Sequence, residues 1–121
     1  MARLVARDPE SPKERVRVLL ANYPRSYRES IAAVLRQLRP ELSIEVVEPE
    51  ALDGRVDLLR PHVAICSRAT SRVRERVPVW VELYPELASF SVAHERGKRT
   101  EFAEMQLQDL LSVVDRAAGC D

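Results

Sequence analysis

The amino-acid sequence predicts a single α/β domain, built on a mixed β-sheet with helices on both faces. Three observations support this fold class. Apolar, β-branched runs alternate with segments of helical periodicity over the first two thirds of the chain, which is typical of βαβ units. The clearest unit is Val16–Leu38, an apolar run followed by a turn and an amphipathic helix. In the last third the connections become too short for a crossover, which predicts antiparallel strands.

The composition fits one soluble domain. The chain has 121 residues, of which 45% are hydrophobic and 31% charged, and its formal net charge is zero. A neutral chain has no overall field that attracts nucleic acid or a membrane surface, and its apolar runs are shorter than the ~20 residues that span a bilayer. Two cysteines, Cys66 and Cys120, make no disulfide framework. We therefore expect a cytoplasmic protein with a mobile N-terminal arm, residues 1–14, and one domain, residues 15–119.

The segment Val16–Leu38 predicts the first strand and helix. Residues 16–21 have the length and β-branched content of a buried strand, and residues 22–25 are typical of a turn. Ser26 lies three residues before Glu29, the spacing of a capping box, which predicts where the helix starts. One apolar stripe then follows helical spacing: Ile31, Val34, Leu35 and Leu38.

The next elements continue the alternation. Residues 42–47 predict a second strand, and Pro49 suits the first turn of a short helix over residues 49–59. Residues 62–66 predict a third strand. Residues 67–76 leave room for about one short helix, near the lower limit for a parallel crossover.

The fourth strand is predicted at residues 77–84. Its alternation places Trp80 and Tyr84 on one face and a row of aliphatic residues on the other. That row is Val77, Val79, Val81 and Leu83. Only three residues separate this strand from residues 88–93, so the fifth strand runs antiparallel to the fourth.

A hairpin and a helix are predicted to end the domain. Gly97 predicts the hairpin turn, and residues 100–105 its return strand. An alternative starts the last helix at Thr100 and omits that strand. The helix itself is predicted by an apolar stripe and by Gly119 as its C-terminal stop. The stripe is Leu107, Leu110, Leu111 and Val114.

The first 83 residues resemble the receiver domains of bacterial response regulators. The resemblance rests on three segments: ANYPRSYRES at residues 21–30, PHVAICS at 61–67 and PVWVEL at 78–83. They look like the family's acidic turn with its helix, its third strand and its fourth strand. The resemblance implies a three-layer, flavodoxin-like domain with a signalling function.

This chain departs from receivers at the positions that carry their chemistry. Asn22 and Tyr23 stand where the acidic pair holds magnesium, and Ser67 stands at the position of the phosphoacceptor aspartate. Leu83 replaces the switch hydroxyl. Magnesium prefers carboxylate oxygens, which these side chains do not supply. We therefore expect a degenerate receiver that is not an enzyme, holds no metal or cofactor and acts through protein contacts.

An alternative function is the sensing of a small anion at the carboxyl ends of the strands. In open α/β sheets, ligands bind at this edge, at the point where the strand order reverses. Arg25 and Arg68 beside a helix N-terminus are able to hold a phosphate or carboxylate. The candidate ligand-binding residues are Asn22, Arg25, Ser26, Ser67 and Arg68. The competing interpretation leaves both arginines as solvated loop residues and Ser26 as a helix cap.

Cys66 and Arg72 satisfy the C-x5-R spacing of cysteine phosphatases. That chemistry requires a thiolate and an arginine that grips the phosphate. The loop contains no glycine, and Val73 stands where a hydroxyl residue usually follows, so a structural cysteine is the preferred interpretation.

The remaining charged and metal-binding residue types predict no further site. His62 and His94 are far apart and have no neighbours at metal-ligand spacing. The arginine cluster at 68, 72, 74 and 76 predicts a solvated helix face rather than a nucleic-acid site, because the whole chain is neutral.

A protein interface is predicted on the outer part of the sheet. A fourth crossover helix is missing, so one face beyond the fourth strand should be partly bare. A strip that combines Trp and Tyr with small polar residues is typical of interfaces. The candidate interface residues are Trp80, Tyr84, Ser89 and Ser91. We expect this strip and the hairpin edge to form a symmetric homodimer or to dock a protein partner.

Overall fold

The computed structural model describes residues 15–83 and 90–119. The predicted N-terminal arm, residues 1–14, lies outside the described residues. Within the described residues there are six strands, four α-helices and one short 3₁₀ turn, Pro49–Ala51. The strands are β1 (Arg17–Ala21), β2 (Ser43–Val46), β3 (Val63–Cys66), β4 (Val79–Glu82), β5 (Ser91–Glu95) and β6 (Lys98–Phe102). The helices are α1 (Arg25–Leu38), α2 (Leu52–Leu59), α3 (Ser71–Arg76) and α4 (Leu107–Ala117).

The strands form one mixed sheet in the order β2-β1-β3-β4-β5-β6. The pairs among the first four strands are parallel. β5 runs antiparallel to β4, and β6 runs antiparallel to β5. The predicted α/β class is confirmed, and so is the change from parallel to antiparallel pairing after the fourth strand.

Two hydrophobic cores lie on opposite faces of the sheet. The first lies against α1 and α4 and includes Val18, Leu20 and Ile65. The second lies against α2 and α3 and includes Leu19 and Ala64. Because successive strand residues point to opposite faces, β1 and β3 are buried on both sides, as parallel strands usually are. None of the described helices is long and apolar enough to cross a membrane.

The start of α1 differs from the prediction. The helix begins at Arg25, its N-cap is Pro24, and no side chain caps it. Ser26 therefore already lies in the first turn, so the predicted capping box is wrong. Glu29 instead accepts a hydrogen bond from Arg25 Nε at 2.7 Å.

Val77 lies on the opposite face from the one predicted. It belongs to the second core, whereas Val79 and Val81 belong to the first. Val77 N–H donates to the Val73 carbonyl at 2.9 Å, which makes Val77 the C-cap of α3. The strand alternation begins only after Pro78, and this is why the predicted row of aliphatic residues loses its first member.

The hairpin between β5 and β6 is confirmed. Arg96 and Gly97 form a two-residue turn with φ of 50° and 92°, and both angles lie in the positive region of a type I′ turn. The return strand is Lys98–Phe102, which starts and ends earlier than the predicted residues 100–105. Because α4 begins only at Leu107, the alternative helix from Thr100 is wrong. Gly119 follows α4 with φ of 82°, as a C-terminal glycine stop requires.

Candidate functional site

A polar contact joins the loops that follow β1 and β3. Tyr23 N–H donates to Ser67 Oγ at 3.0 Å, and Ser67 Oγ lies 3.5 Å from the Tyr23 carbonyl, to which it donates. Ala21 and Cys66 are opposite each other in parallel strands, so the residues after them meet at the same edge. The Ser67 hydroxyl, predicted as a ligand-binding group, therefore connects two loops of its own chain.

Asn22 lies at the same edge but is enclosed. Its exposed fraction is 0%, and neither atom of its side-chain amide has a hydrogen-bond partner among the described residues. Arg28 on α1 is also buried and donates from Nη1 to the Asn22 carbonyl at 3.0 Å. Unpartnered polar groups inside a protein cost free energy. Asn22 therefore reaches a ligand only if its surroundings move.

A cavity of about 330 Å³ opens between the loops that follow β1, β2 and β3. Tyr23, Ser67, Arg68 and Thr70 contribute to its lining. β1 lies between β2 and β3 in the sheet. The chain therefore passes from β1 to β2 on one side and then crosses back to β3 on the other side of β1. This reversal of strand order is where ligands bind in open α/β sheets, which makes the cavity a candidate ligand site.

Arg25 lies in a different depression, of about 250 Å³, between α1 and the end of β2. Glu29 and Glu48 line the same depression. The hydrogen bond that Arg25 donates to Glu29 raises the pKa of Arg25 and lowers the pKa of Glu29. Ser26 is exposed in the first turn of α1. The structure thus brings Ser67 and Arg68 to one cavity and leaves Arg25 in another.

Cys66 is buried in β3, and its thiol donates to the Val81 carbonyl at 3.7 Å. Burial, assisted by the nearby Glu82 carboxylate, raises the pKa of the thiol to about 12, so it stays protonated at neutral pH. Arg72, the arginine of the C-x5-R spacing, forms an ion pair with Asp57. The thiolate and the available arginine that a cysteine phosphatase needs are thus both absent at these two positions.

The arginines of α3 contact an acidic residue of α2. Arg72 and Arg76 both pair with Asp57, and for Arg76 the Nη1–Oδ1 distance is 3.9 Å. Thr70, just before α3, donates from its hydroxyl to Asp53 at 2.6 Å. Asp57 thus compensates part of the charge of Arg72 and Arg76, which favours a solvated helix face over a nucleic-acid site.

An aromatic pair lies on the outer part of the sheet. Trp80 on β4 and His94 on β5 are directly opposite in the antiparallel register. Their rings stack with centroids 4.5 Å apart and planes inclined by 14°. The Trp80 Nε1–H is buried and has no hydrogen-bond partner among the described residues. Burial lowers the pKa of His94, an effect that the Glu82 carboxylate opposes and the Arg99 guanidinium reinforces.

Ser91 does not share the face of Trp80, so the predicted interface is wrong at this position. Its exposed fraction is 0%. Ser91 lies opposite Phe102, which packs against the first core. Opposite residues of an antiparallel pair point to the same face, and Trp80 faces His94 rather than Ser91. The other two predicted interface residues, Tyr84 and Ser89, lie outside the described residues.

The surface on the Trp80 side is polar at its outer end. Val92 is only 2% exposed, so the predicted bare face does not extend to it. Arg99 and Glu101 on β6 are exposed and form an ion pair with an Nη1–Oε2 distance of 2.7 Å. No buried member of the second core comes from β5 or β6. We call Trp80, His94, Arg99 and Glu101 the outer strip.

Four residues of these sites were not predicted from the sequence: Arg28, His94, Arg99 and Glu101. Arg28 precedes Ile31, Ala32 and Leu35 by three, four and seven positions, so helical spacing is the signal that could have indicated its burial. His94 becomes significant through its contact with Trp80, and that contact depends on the register of β4 and β5. No local pattern specifies this register.

Two further observations bear on the site. In residues 15–83 and 90–119, no three His, Cys, Asp or Glu side chains are grouped as metal ligands would be. Comparison with protein-family models, with curated proteins and with solved structures finds no match to this chain.

Proposed function

We propose that this chain is a non-catalytic interaction module, a pseudo-receiver whose fold resembles the flavodoxin-like receiver domain and which signals through protein contacts. The observation that carries the proposal is the outer strip, which combines a half-buried aromatic pair with exposed charges of both signs. Trp and Arg are enriched at protein interfaces, and the rim of an interface is polar and exposed to solvent. The chain has only two cysteines, too few for a disulfide framework, which favours a cytoplasmic location for the module.

The order of the parallel strands supports the comparison with receivers. β2-β1-β3-β4 is the order in which flavodoxin-like domains begin, and α1 and α4 share one face of the sheet. The ending differs, because β5 and β6 form an antiparallel hairpin. This difference makes β6, an antiparallel strand, the edge of the sheet on that side.

The strand-end residues support a function without phosphoryl transfer. Ser67, at the phosphoacceptor position, is bonded to the backbone of Tyr23. Asn22, at the position of an acidic magnesium ligand, is enclosed. A serine hydroxyl is a weak nucleophile without an adjacent base, and the atoms near it are backbone groups.

Incubation with acetyl phosphate and magnesium tests the proposal. Intact-mass spectrometry of the full chain should show no added phosphoryl group, and the Ser67→Ala variant should behave identically. A receiver domain with an intact aspartate serves as the positive control for the reagent. Phosphoryl uptake by the wild-type chain that is lost in Ser67→Ala contradicts the proposal.

A second candidate is a sensor of a small anion in the strand-end cavity, and the position of that cavity favours it. Arg68 and the Ser67 hydroxyl line the same cavity at the reversal of strand order. Titration with inorganic phosphate, followed by amide chemical shifts, should then perturb residues around Ser67. Arg68→Ala should weaken the binding, whereas Arg25→Ala should not, because Arg25 lines the other depression. Equal effects of the two variants, or no shift changes at all, contradict this candidate.

A further inference from the structure

The two edges of the sheet differ in whether arginine side chains bond to their outward-pointing carbonyl groups. On β2, the bonds Ser43 N–H to Val16 and Val47 N–H to Leu20 direct alternate residues towards β1. The backbone N–H and C=O groups of Leu42 and Ile44 therefore point away from β1, whereas their side chains pack on the first core. Both of their carbonyls are closed by arginines: Arg15 Nη2 donates to Leu42 at 3.1 Å, and Arg36 Nη2 donates to Ile44 at 3.1 Å.

The β6 edge is open. Arg96 N–H donates to the Pro78 carbonyl at 2.9 Å. The backbone N–H and C=O groups of even-numbered residues in β5 therefore point towards β4, and those of odd-numbered residues point towards β6. In the β5–β6 register, the backbone groups of Thr100 point towards β5. Those of Arg99 and Glu101 point outwards, away from the sheet. Within the described residues, these outward N–H and C=O groups have no hydrogen-bond partner.

The side chains along this edge are complementary to a second copy of themselves. If two β6 strands lie antiparallel with a two-fold axis at Thr100, Arg99 of each copy lies opposite Glu101 of the other. Both residues point their backbone groups outwards, so each opposed pair exchanges two hydrogen bonds, which gives four in total. The two Arg–Glu contacts across the axis are favourable cross-strand pairs.

The same charges reject other arrangements. A slip of two residues in one direction places Arg99 opposite Arg99, and a slip in the other direction places Glu101 opposite Glu101. Like charges directly opposite one another are destabilising. Charged side chains on an edge strand usually prevent association. Here their alternation in sign favours the pairing centred on Thr100 over both of these slips.

We propose that two copies of this chain associate through β6 in this register and join their sheets into one continuous sheet. The inference rests on the proposed function, for which it names the partner as a second copy. The contact is small, so the dimer belongs to the weak class and forms in the micromolar to millimolar range. Higher salt should weaken it, because the two ion pairs across the axis are exposed to solvent.

Charge reversal tests the register. Sedimentation equilibrium of the full chain should show a wild-type dimer, and Arg99→Glu or Glu101→Arg should each weaken association by about tenfold or more, because each variant creates two like-charge contacts. The double variant R99E/E101R should dimerise like the wild type. An equimolar mixture of the two single variants should form heterodimers, since every opposed pair is then complementary. Circular dichroism should confirm that each variant is folded.

Glu29→Arg is the matched control. It disrupts the Arg25–Glu29 pair, which has the same N–O distance of 2.7 Å as the Arg99–Glu101 pair but lies on α1. Its association should equal that of the wild type. The inference is overturned if the wild-type chain is monomeric at millimolar concentration, if the double variant fails to dimerise, or if Glu29→Arg weakens association as much as the β6 variants. The proposed function is tested separately by acetyl phosphate treatment. If the intact mass of the chain does not change in that treatment, the proposed function stands even without a dimer. Phosphoryl uptake contradicts the proposed function in any oligomeric state.

Discussion

The indole of Trp80 and the imidazole of His94 lie stacked across two antiparallel strands, with their ring centroids 4.5 Å apart. Trp80 is the single tryptophan of the chain. Its fluorescence therefore reports one site, and that site is in contact with a titratable ring. This pair makes the protonation of His94 directly measurable.

Tryptophan emission should follow the protonation of His94. A protonated imidazole in contact with an indole quenches its fluorescence, so the emission should fall on acidification. Because burial lowers the pKa of His94, the midpoint should lie below the ordinary histidine value of 6.5. The His94→Gln variant should lose this step, whereas His62→Gln should retain it. A step that persists in His94→Gln contradicts the assignment.

The free energy of unfolding should fall as the solution is acidified below pH 6.5. Burial lowers the pKa of both His62 and His94, so the unfolded chain binds protons that the folded chain does not. Stability then rises with pH in the window just below 6.5. Protonation of His62 also removes the acceptor for Arg17 N–H, which lies 2.9 Å from Nδ1. Urea denaturation at a series of pH values measures the slope, and the variant H62Q/H94Q should flatten it.

Acidification below about pH 4.5 should destabilise the domain by a second route. Hydrogen bonds from Arg116 and Arg39 lower the pKa values of Glu95 and Asp115, respectively. Their stabilising contributions are present above the ordinary carboxyl pKa and are lost as pH falls towards the lowered values. This loss should remain in H62Q/H94Q, so the two routes separate in the same titration. A double variant with no residual pH dependence in this range contradicts the expectation.

Asp115→Asn should lower the free energy of unfolding by about 1 kcal/mol, because it weakens a bidentate ion pair between Arg39, at the end of α1, and α4. Arg39 Nε and Nη2 donate to the two carboxylate oxygens of Asp115, both at 2.9 Å. The control is Glu29→Gln, which removes the more exposed Arg25–Glu29 pair and should lower the free energy of unfolding by clearly less than Asp115→Asn does. Chemical denaturation measures both variants, and equal losses contradict the prediction.

Leu35→Ala should destabilise the domain by about 2–5 kcal/mol, whereas Leu38→Ala should cost less than about 1 kcal/mol. Both residues belong to the apolar stripe of α1. Leu35 is 0% exposed in the first core, and Leu38 is 44% exposed. Denaturant midpoints of the two variants provide the measurement. Similar losses at the two positions mean that α1 packs with a different face towards the sheet.

Cys66 should resist alkylation in the folded protein. Its thiol is buried, and its raised pKa of about 12 leaves almost no thiolate at pH 8. Iodoacetamide treatment followed by peptide mapping should find Cys66 unmodified under native conditions and modified in denaturant. Mapping by peptide separates its signal from that of Cys120. Rapid native labelling of Cys66 contradicts its enclosed position.

The sequence by itself determined the elements and the change in strand direction. Periodicity located α1 and α4, because helical spacing of apolar residues is a local property. Connection lengths predicted that β5 runs antiparallel to β4, since a short connection cannot cross a sheet. Gly97 predicted the β5–β6 turn because that turn needs positive φ.

The tertiary structure decided which side chains face which neighbours. The alternation of residues along β5 does not indicate which face holds Ser91. Its register against Phe102 places it in the core. Val77 changes face because α3 extends its last turn to that residue. Trp80 meets His94, and Ser67 meets Tyr23, through contacts between segments that are distant in the chain. A local pattern sets the period of an element, whereas register is set by the packing of its partners, and the candidate sites of this protein depend on register.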